Sequence, residues 1–444
     1  ASGGASITNG GGASVFNIKG AGLDSSTPSS PRDIYITGIG SNAVLQGTSG
    51  KRVISISGGA QVIFDNITIR DGGGTGSTYT GNGGGIYIGS GSRVNWTSGV
   101  ISGNRGRSGG GVYVDNSEFD FMTGSIRDNT ATGSTAPTGF DENDNITPLV
   151  INGGGGVYVN GNDSLFWLAN GEIIGNTASG SGGGVLVNGS AVPDAPDDYD
   201  DNLNNDMPHN FIMSGGSVNG NGSSGAVWPH GGGGVFVAKG VFEMLNGRIM
   251  NNNSRRQGGG VFIWSRALFY MDGDSSVTAN SGVGSAKALC SRGITTMRGR
   301  AQADSSYIWN YAMGSWNNGA GDMFTLMEGA RVSALVLAFA DGPQDNRNYI
   351  NLEVNPVSGA FFTGAPGPIT TIDLESRLIN GSFSTTATIN SDWLDKYLIR
   401  NGVNPVPADV AQRFTLGTFT SGGPNRSVSA AYKLDGYGRL AAKP

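Results

Sequence analysis

The chain has 444 residues, of which 78 are glycine and only 14% are charged, with a net charge of −6. Apolar residues reach 37% and the glycines recur at fixed places, so the composition is that of a packed repeat and not of a disordered chain. No basic stripe is present to release counterions from nucleic acid, no apolar run approaches the ~18 residues of a membrane-spanning helix, and the sole cysteine, Cys290, excludes an intrachain disulfide and reads as a small buried hydrophobe.

The chain starts at Ala1, without Met, which reads as a processed N-terminus. Residues 1–82 are expected to form irregular coils, with strands at Val53–Ile56 and Val62–Arg70. Residues 83–285 carry a repeat. A glycine run leads an apolar triplet at Gly83–Ile88, Gly109–Val114, Gly154–Val159, Gly182–Val187, Gly232–Val237 and Gly258–Ile263. A second motif, Gly-x-Ile/Val-x-x-Asn, ends at Asn104 and Asn129, with copies at Asn176, Asn221 and Asn252 and a looser one at Asn280. Short alternating segments such as Phe119–Met122, Leu165–Leu168 and Val241–Met244 lie between the two. The first apolar residue after each glycine run falls at 86, 112, 157, 185, 235 and 261. Two of the steps exceed the others by about 20 residues, and read as one turn plus an insertion, near 130–152 and 190–210. Residues 286–380 are expected to add looser coils, with strands near Met323–Leu326 and Val332–Leu337. Residues 381–444 are expected to form a cap, with short helices at Asp392–Leu398 and Pro407–Phe414.

One such unit cannot bury its apolar face, whereas units stacked in parallel can. The expected fold is therefore all-β: a right-handed parallel β-helix, or solenoid, with a C-terminal cap containing short helices. Alternation places Ile86 and Ile88 inside and Tyr87 outside, so an outward row of Tyr87, Tyr113, Tyr158, Phe236 and Phe262 would suit sugar stacking or protein packing alike. Two readings of the repeated asparagines stay open: amides that bridge neighbouring coils, or residues that tolerate a left-handed turn. The glycine runs suit sharp corners that need positive φ and close approach of the next coil. No Gly-Lys-Ser/Thr ending makes any of them a phosphate loop.

The Gly-Gly-Gly-Val-Tyr-Val, Phe-x-Met and Gly-x-Ile-x-x-Asn units resemble the right-handed parallel β-helix repeats of bacterial surface proteins, the spirochaete (Treponema-type) ones above all. The ending from Arg413 to Leu440 is similar to the tails of those proteins. The chlamydial polymorphic outer-membrane proteins are more distantly similar, and their C-terminal membrane barrel has no counterpart here. The resemblance implies a bacterial extracellular or cell-surface location. It leaves function open among adhesins, surface-array components and others.

Three functions are in play. The first is a structural protein that self-assembles into a filament or surface layer, as a homo-oligomer or polymer. The second is an adhesin or carbohydrate-binding module for a host or cell-surface glycan or protein. The third is a pectate-lyase-like enzyme. Such an enzyme needs acidic or calcium-ligating groups with a nearby base on one outer sheet. Arg70 with Asp65 and Asp71, and Arg127 with Asp128, read instead as solvated strand ends, so no catalytic residue and no cofactor is assigned. His209 and His230 flank the second insertion and would hold a metal only if they converge; they read as loop histidines. Of the acidic residues in the insertions, Asp197, Asp198, Asp200 and Asp201 are the candidates for Ca²⁺. Tyr199, Leu203 and Met207 are the candidates for burial against a second copy.

Overall fold

A computed structural model describes residues 6–9, 14–20, 33–40, 43–74, 79–134, 139–140, 146–147, 151–190, 209–226, 230–264, 267–283, 287–310, 324–340, 350–353, 370–377, 398–401, 405–420, 426–427 and 431–444. These residues form a parallel β-helix. Each coil of the regular repeat runs through three main strands, each in register on its counterpart in the next coil. Five coils add a two-residue strand after the third, from Arg105–Gly106 to Asn253–Ser254, and these stack parallel as a narrow fourth sheet. In the coil that opens the regular repeat, the strands are Ile86–Gly89, Arg93–Trp96 and Gly99–Ser102. Their successors are Val112–Asp115, Glu118–Phe121 and Ser125–Arg127, and the pairing is parallel throughout.

The first sheet stacks one residue of each coil into an inward row. It runs through Phe16, Ile54, Ile86, Val112, Val157, Val185, Val235, Val261, Leu289, Ser306, Leu335, Ile372 and Leu416 without loss of register. At about 4.8 Å per step, this row is a rod about 60 Å long. The valines and isoleucines that fill it are the residues whose branched side chains pack best on a pleated surface. Val157 lies directly on Val112, 45 positions earlier, and Val235 lies directly on Val185. Both long steps therefore return to the same register, as the reading of one turn plus an insertion implies.

The inward row of the second sheet is aromatic: Phe119, Phe166, Phe211, Phe242 and Phe269 follow one another in register. Their rings stack at centroid spacings of 5.4, 5.1, 4.4 and 4.7 Å, close to parallel. Beside them Phe64, Trp96 and Phe121 form a shorter stack that continues as Leu168, Met213, Met244 and Met271. The third sheet supplies Ile69, Ile101, Ile126, Ile173, Val218, Ile249 and Val277. All of these side chains are buried in one continuous core.

The asparagines decide between their two readings. Asn104, Asn129, Asn176, Asn221, Asn252 and Asn280 are all buried. Each of the first five donates an Nδ2 hydrogen to the Oδ1 of the next at 2.9–3.0 Å. That same Oδ1 accepts the backbone N–H of the preceding asparagine. The second amide hydrogen goes to a third-sheet carbonyl of the coil before, as from Asn176 to Ile126 at 2.9 Å. Each internal amide thus makes two donated and two accepted bonds, its full complement. The left-handed conformation belongs to the residue in front: Gly103, Asp128, Gly175, Gly220, Asn251 and Ala279 all have φ between 53° and 67°. Asn280, the looser copy by sequence, is a full member of the ladder.

The three glycines of a run serve different needs, visible at 182–184. Gly182 has φ +62°, the left-handed corner. A Cβ on Gly183 would stand 2.4 Å from the Gly233 carbonyl oxygen, and one on Gly184 would meet the Gly234 oxygen at 2.7 Å. The corner before Leu289 has Lys287 and Ala288 in place of the glycine run, and the following coils lose the corner itself. From 302 onward the third-sheet strand passes straight into the first-sheet strand, as Gln302–Asn310 and Arg331–Ala340, with no glycine corner between.

Antiparallel pairs occur at the two ends. Ser6–Asn9 pairs antiparallel with Ser14–Lys19, the first strand of the first sheet. At the other end, Phe414–Thr420 pairs antiparallel with Arg426–Ser427, and Tyr432–Leu434 with Leu440–Ala442. The helix expected at Pro407–Phe414 is a single turn, Ala408–Ala411, with Val410 and Ala411 buried. The one expected at Asp392–Leu398 falls almost wholly outside the described residues. No helix among the described residues is long and apolar enough to cross a membrane.

Candidate functional site

The face with the most unusual chemistry is the outside of the first sheet, and there the structure decides between the two uses left open for the aromatic row. Tyr87, Tyr113, Tyr158, Leu186, Phe236, Phe262 and Cys290 form one outward row in register. The row is not an exposed platform. Tyr113 keeps 8% of its surface, Tyr158 4%, and Leu186, Phe236, Phe262 and Cys290 none. These residues make a second apolar core outside the sheet, with Ile151, Trp264, Tyr307 and Val336, and only Tyr87 remains half-buried. The glycine run explains part of this cover. Gly83 lies so close behind Tyr113 that a Cβ there would stand 3.2 Å from the tyrosine's own Cβ, and Tyr158 donates from its hydroxyl to the carbonyl of Ile151 at 2.9 Å. The signal available in sequence was the mixture Tyr, Leu, Phe, Cys, which is the composition of an interior. Alternation alone says "outward" and cannot say "uncovered".

The three tyrosines stack at 5.7 and 4.9 Å. Beside them runs a polar chain. The Tyr87 hydroxyl donates to Asp115 at 2.6 Å, Asn160 donates to Asp115 at 3.0 Å, and Asn188 donates to Asn160 at 3.1 Å. Arg52 sits 4.7 Å above the Tyr87 ring. Burial, then the bond to Asp115, push the Tyr87 hydroxyl up to about 12, and burial pushes Tyr113 and Tyr158 up as well. Raised folded values favour the native state below the unfolded tyrosine value of about 10 and remove that advantage as pH climbs past it. An alkaline titration followed at 295 nm should therefore show tyrosines that do not ionise until the fold is lost, and Tyr87→Phe should remove the lowest of that late group. A single early transition for every tyrosine would contradict the buried row.

The outer face of the second sheet carries two charged groups. Arg93 reaches Asp120 at 2.8 Å and Glu118 at 3.2 Å. One oxygen of the buried Asp120 lacks a partner, as does the amide oxygen of its register neighbour Asn95. Farther along, His209 Nδ1 lies 3.1 Å from Glu243, at a distance that suits an ion pair but without hydrogen-bond alignment.

The two histidines do not converge. His230 stands before the glycine run that leads into the strand Val235–Met244, whereas His209 pairs with Val241 near that strand's far end. His230 is buried, with Nδ1 3.1 Å from the Ser181 hydroxyl. Burial, then the Arg256 charge, hold it below its ordinary value. A depressed histidine value means stability that is present above about 6.5 and declines as pH falls below it. His230→Gln should flatten the loss of melting temperature between roughly pH 6.5 and 5; an unchanged slope would mean that another group governs it.

Arg70–Asp71 and Arg127–Asp128 are exposed pairs at strand ends, as read from sequence. No group of three or more His, Cys, Asp or Glu poised to hold a metal occurs among the described residues. Asp197, Asp198, Asp200 and Asp201, and with them Tyr199, Leu203 and Met207, lie outside the described residues. What the described residues do fix is where the insertions leave. The first departs after Ala131, before the glycine run of Val157–Asn160; the second departs after Asn188 and returns at His209. The first thus precedes the start of a first-sheet strand and the second follows the end of one. Register shifts at Val187/Asn188 and His209/Phe211 mark the second departure. Comparison with known protein families, curated proteins and solved structures yields no match.

Proposed function

We propose that this protein is a structural subunit of a bacterial extracellular or cell-surface assembly, self-associating into a filament or layer. The observation that carries the reading is the unbroken register from Phe16 to Leu416, which makes the molecule a stiff rod of fixed length. A rod repeats any contact that does not close into a ring. A surface in which charged residues are scarce lowers the electrostatic cost of bringing copies together. The likeness of the repeats to spirochaete-type surface proteins supports the location. Burial of the outward aromatic row favours protein packing over sugar stacking as the use of that row. Negative-stain imaging of the purified protein, with mass measured in solution, tests the proposal. Assembled rods are expected, and monomers at all accessible concentrations overturn it. Pectin, alginate and chondroitin are expected to survive incubation with the protein and Ca²⁺.

One observation favours an adhesin as the second reading. Two long insertions branch from the start of one first-sheet strand and the end of another, and loops on a rigid scaffold are a usual place for a binding surface. Glycan or host-protein binding that is lost when residues 191–208 are deleted would move the assignment there. Calcium binding by Asp197, Asp198, Asp200 and Asp201 belongs to that reading and is tested by calorimetry on the same deletion.

A further inference from the structure

We propose that Tyr87 and Asp115 form a site of one-electron oxidation: a soluble one-electron oxidant takes an electron from the Tyr87 ring, and Asp115 takes the hydroxyl proton. The inference is independent of the self-association proposed above.

The polar chain beside the outer row follows the tyrosines. Filling the row needs no hydroxyl, since Leu186, Phe236, Phe262 and Cys290 occupy the same line in later coils. Tyr87 donates to Asp115 Oδ2 at 2.6 Å, the length of a hydrogen bond to an ionised acceptor. The other carboxylate oxygen accepts from Asn160 at 3.0 Å, and Asn160 accepts in turn from Asn188. Asp115 is thus held with one oxygen aimed at the phenol, and Asn160 is its positioning residue. Gly89 precedes Asp115 in that line. A Cβ on Gly89 would stand 2.7 Å from Tyr87 Cε1 and 3.1 Å from the hydroxyl oxygen. The absence of a side chain there lets the phenol lie across the strand and reach the carboxylate.

A phenol that loses an electron becomes a strongly acidic cation radical, so oxidation is easiest where a base within hydrogen-bond reach removes the proton. Tyr87 is protonated at neutral pH, its hydroxyl being pushed up to about 12 by burial and then by the bond to Asp115. Its proton must therefore move when the electron does. The Tyr87 O–H bond breaks and an O–H bond forms on Asp115. The products are a neutral phenoxyl radical, a carboxylic acid and an oxidant reduced by one electron. Arg52, 4.7 Å above the ring, opposes positive charge on it. It penalises the cation radical and not the neutral phenoxyl, which makes the proton acceptor necessary.

The other tyrosines of the stack lack this arrangement or this access. The Tyr158 hydroxyl donates to the Ile151 carbonyl, too weak a base to keep a proton. Tyr113 and Tyr158 are buried, whereas Tyr87 is half-buried and its upstream neighbour in the row is the small Ser55. Ring spacings of 5.7 and 4.9 Å allow electron exchange along the three, so an electron lost from any of them leaves the radical on Tyr87.

The test uses tris(bipyridyl)ruthenium(III), generated by a light flash, on the full chain and on Tyr87→Phe and Asp115→Asn. The radical is followed by transient absorption and by electron paramagnetic resonance. Wild type should give a tyrosyl radical at neutral pH at a rate independent of buffer concentration, because the base is built in. Asp115→Asn should form it about 100-fold more slowly, the lower end of what a positioned base contributes. Its rate should also rise with the concentration of buffer base, a dependence that a merely structural role for Asp115 would not create. Tyr87→Phe should lose the fast phase while its melting curve matches the wild type. It keeps a ring in the stack and carries the test alone if Asp115→Asn does not fold. A fast phase that survives in Tyr87→Phe, a tryptophan radical in place of a tyrosyl one, or an Asp115→Asn rate equal to wild type overturns the site.

Discussion

Asn176→Ala is expected to destabilise the centre of the rod by about 4 kcal/mol. Asn176 Oδ1 accepts from the backbone N–H and the side-chain amide of Asn129, both at 3.0 Å, and its Nδ2 donates to Ile126 O and Asn221 Oδ1. Truncation leaves the Asn129 N–H and one Asn129 amide hydrogen buried without partners, and takes from the Ile126 carbonyl the second of its bonds beside the ladder bond. Each such group costs roughly 1–3 kcal/mol when it loses its bond and cannot reach water. Asn176→Asp separates hydrogen bonding from packing. It keeps the shape and the two accepted bonds, but turns a donor into an acceptor facing Ile126 O and Asn221 Oδ1 and adds a buried charge. It should be at least as damaging at neutral pH. A repeat protein need not unfold in one step, so the measurement is hydrogen exchange at the Asn129 amide, which should accelerate by about three orders of magnitude. A change of less than tenfold in both variants would show that the ladder is a passenger of the coil and not one of its supports.

The fold was legible because its two governing constraints are written residue by residue. Stacking forces position-matched apolar residues, hence the recurrence of Val or Ile behind each glycine run, and sharp corners force glycine. The ladder was half legible. Spacing marked the asparagines, but a short polar residue in a turn satisfies either reading, and only the positive φ of the residues before them, Gly103 to Ala279, separates the two. Whether the outer aromatic row is uncovered or packed was not legible, because burial by a neighbouring loop has no periodic signature. Residues such as Ile151, which receives the Tyr158 hydroxyl bond, sit at the end of an insertion of irregular length. The histidines illustrate the same limit. Twenty-one positions separate His209 from His230 in sequence, but the coil places them at opposite ends of one strand.

The ending of the regular repeat has a physical reading as well. Asn280 closes the ladder by donating to Ile249 and to Thr278 in its own turn, where the earlier asparagines donate forward. The next coil contains no corner there, since Gln302–Asn310 runs through. Without the corner there is no orphaned turn backbone to satisfy, and the asparagine goes with it; the triple glycine is lost one corner earlier, where Lys287 and Ala288 precede Leu289. The loosening of the pattern after about 290 is thus a change of cross-section within one continuous solenoid.

Phe211→Ala should cost about 4 kcal/mol, the second large effect. Phe211 is fully buried and lies between Phe166 and Phe242, at ring spacings of 5.1 and 4.4 Å. Removing the ring forfeits its burial and leaves a void that cannot collapse. The strands on both sides are pinned in register by their own backbone bonds, and the neighbouring rings are held in turn by Phe119 and Phe269. It also deletes two ring contacts, each contributing about 0.5–1.5 kcal/mol beyond area. Phe211→Leu distinguishes the terms: it retains most of the volume, loses the stacking, and should cost about 1.5 kcal/mol. Because stability in a solenoid is carried by nearest-neighbour interfaces, the damage should stay local. Exchange protection should fall in the coils around Phe166 and Phe242 and remain near wild type around Phe64 and Leu335. Uniform loss along the whole rod would show that the aromatic column behaves as one cooperative unit and not as a series of coil-to-coil contacts.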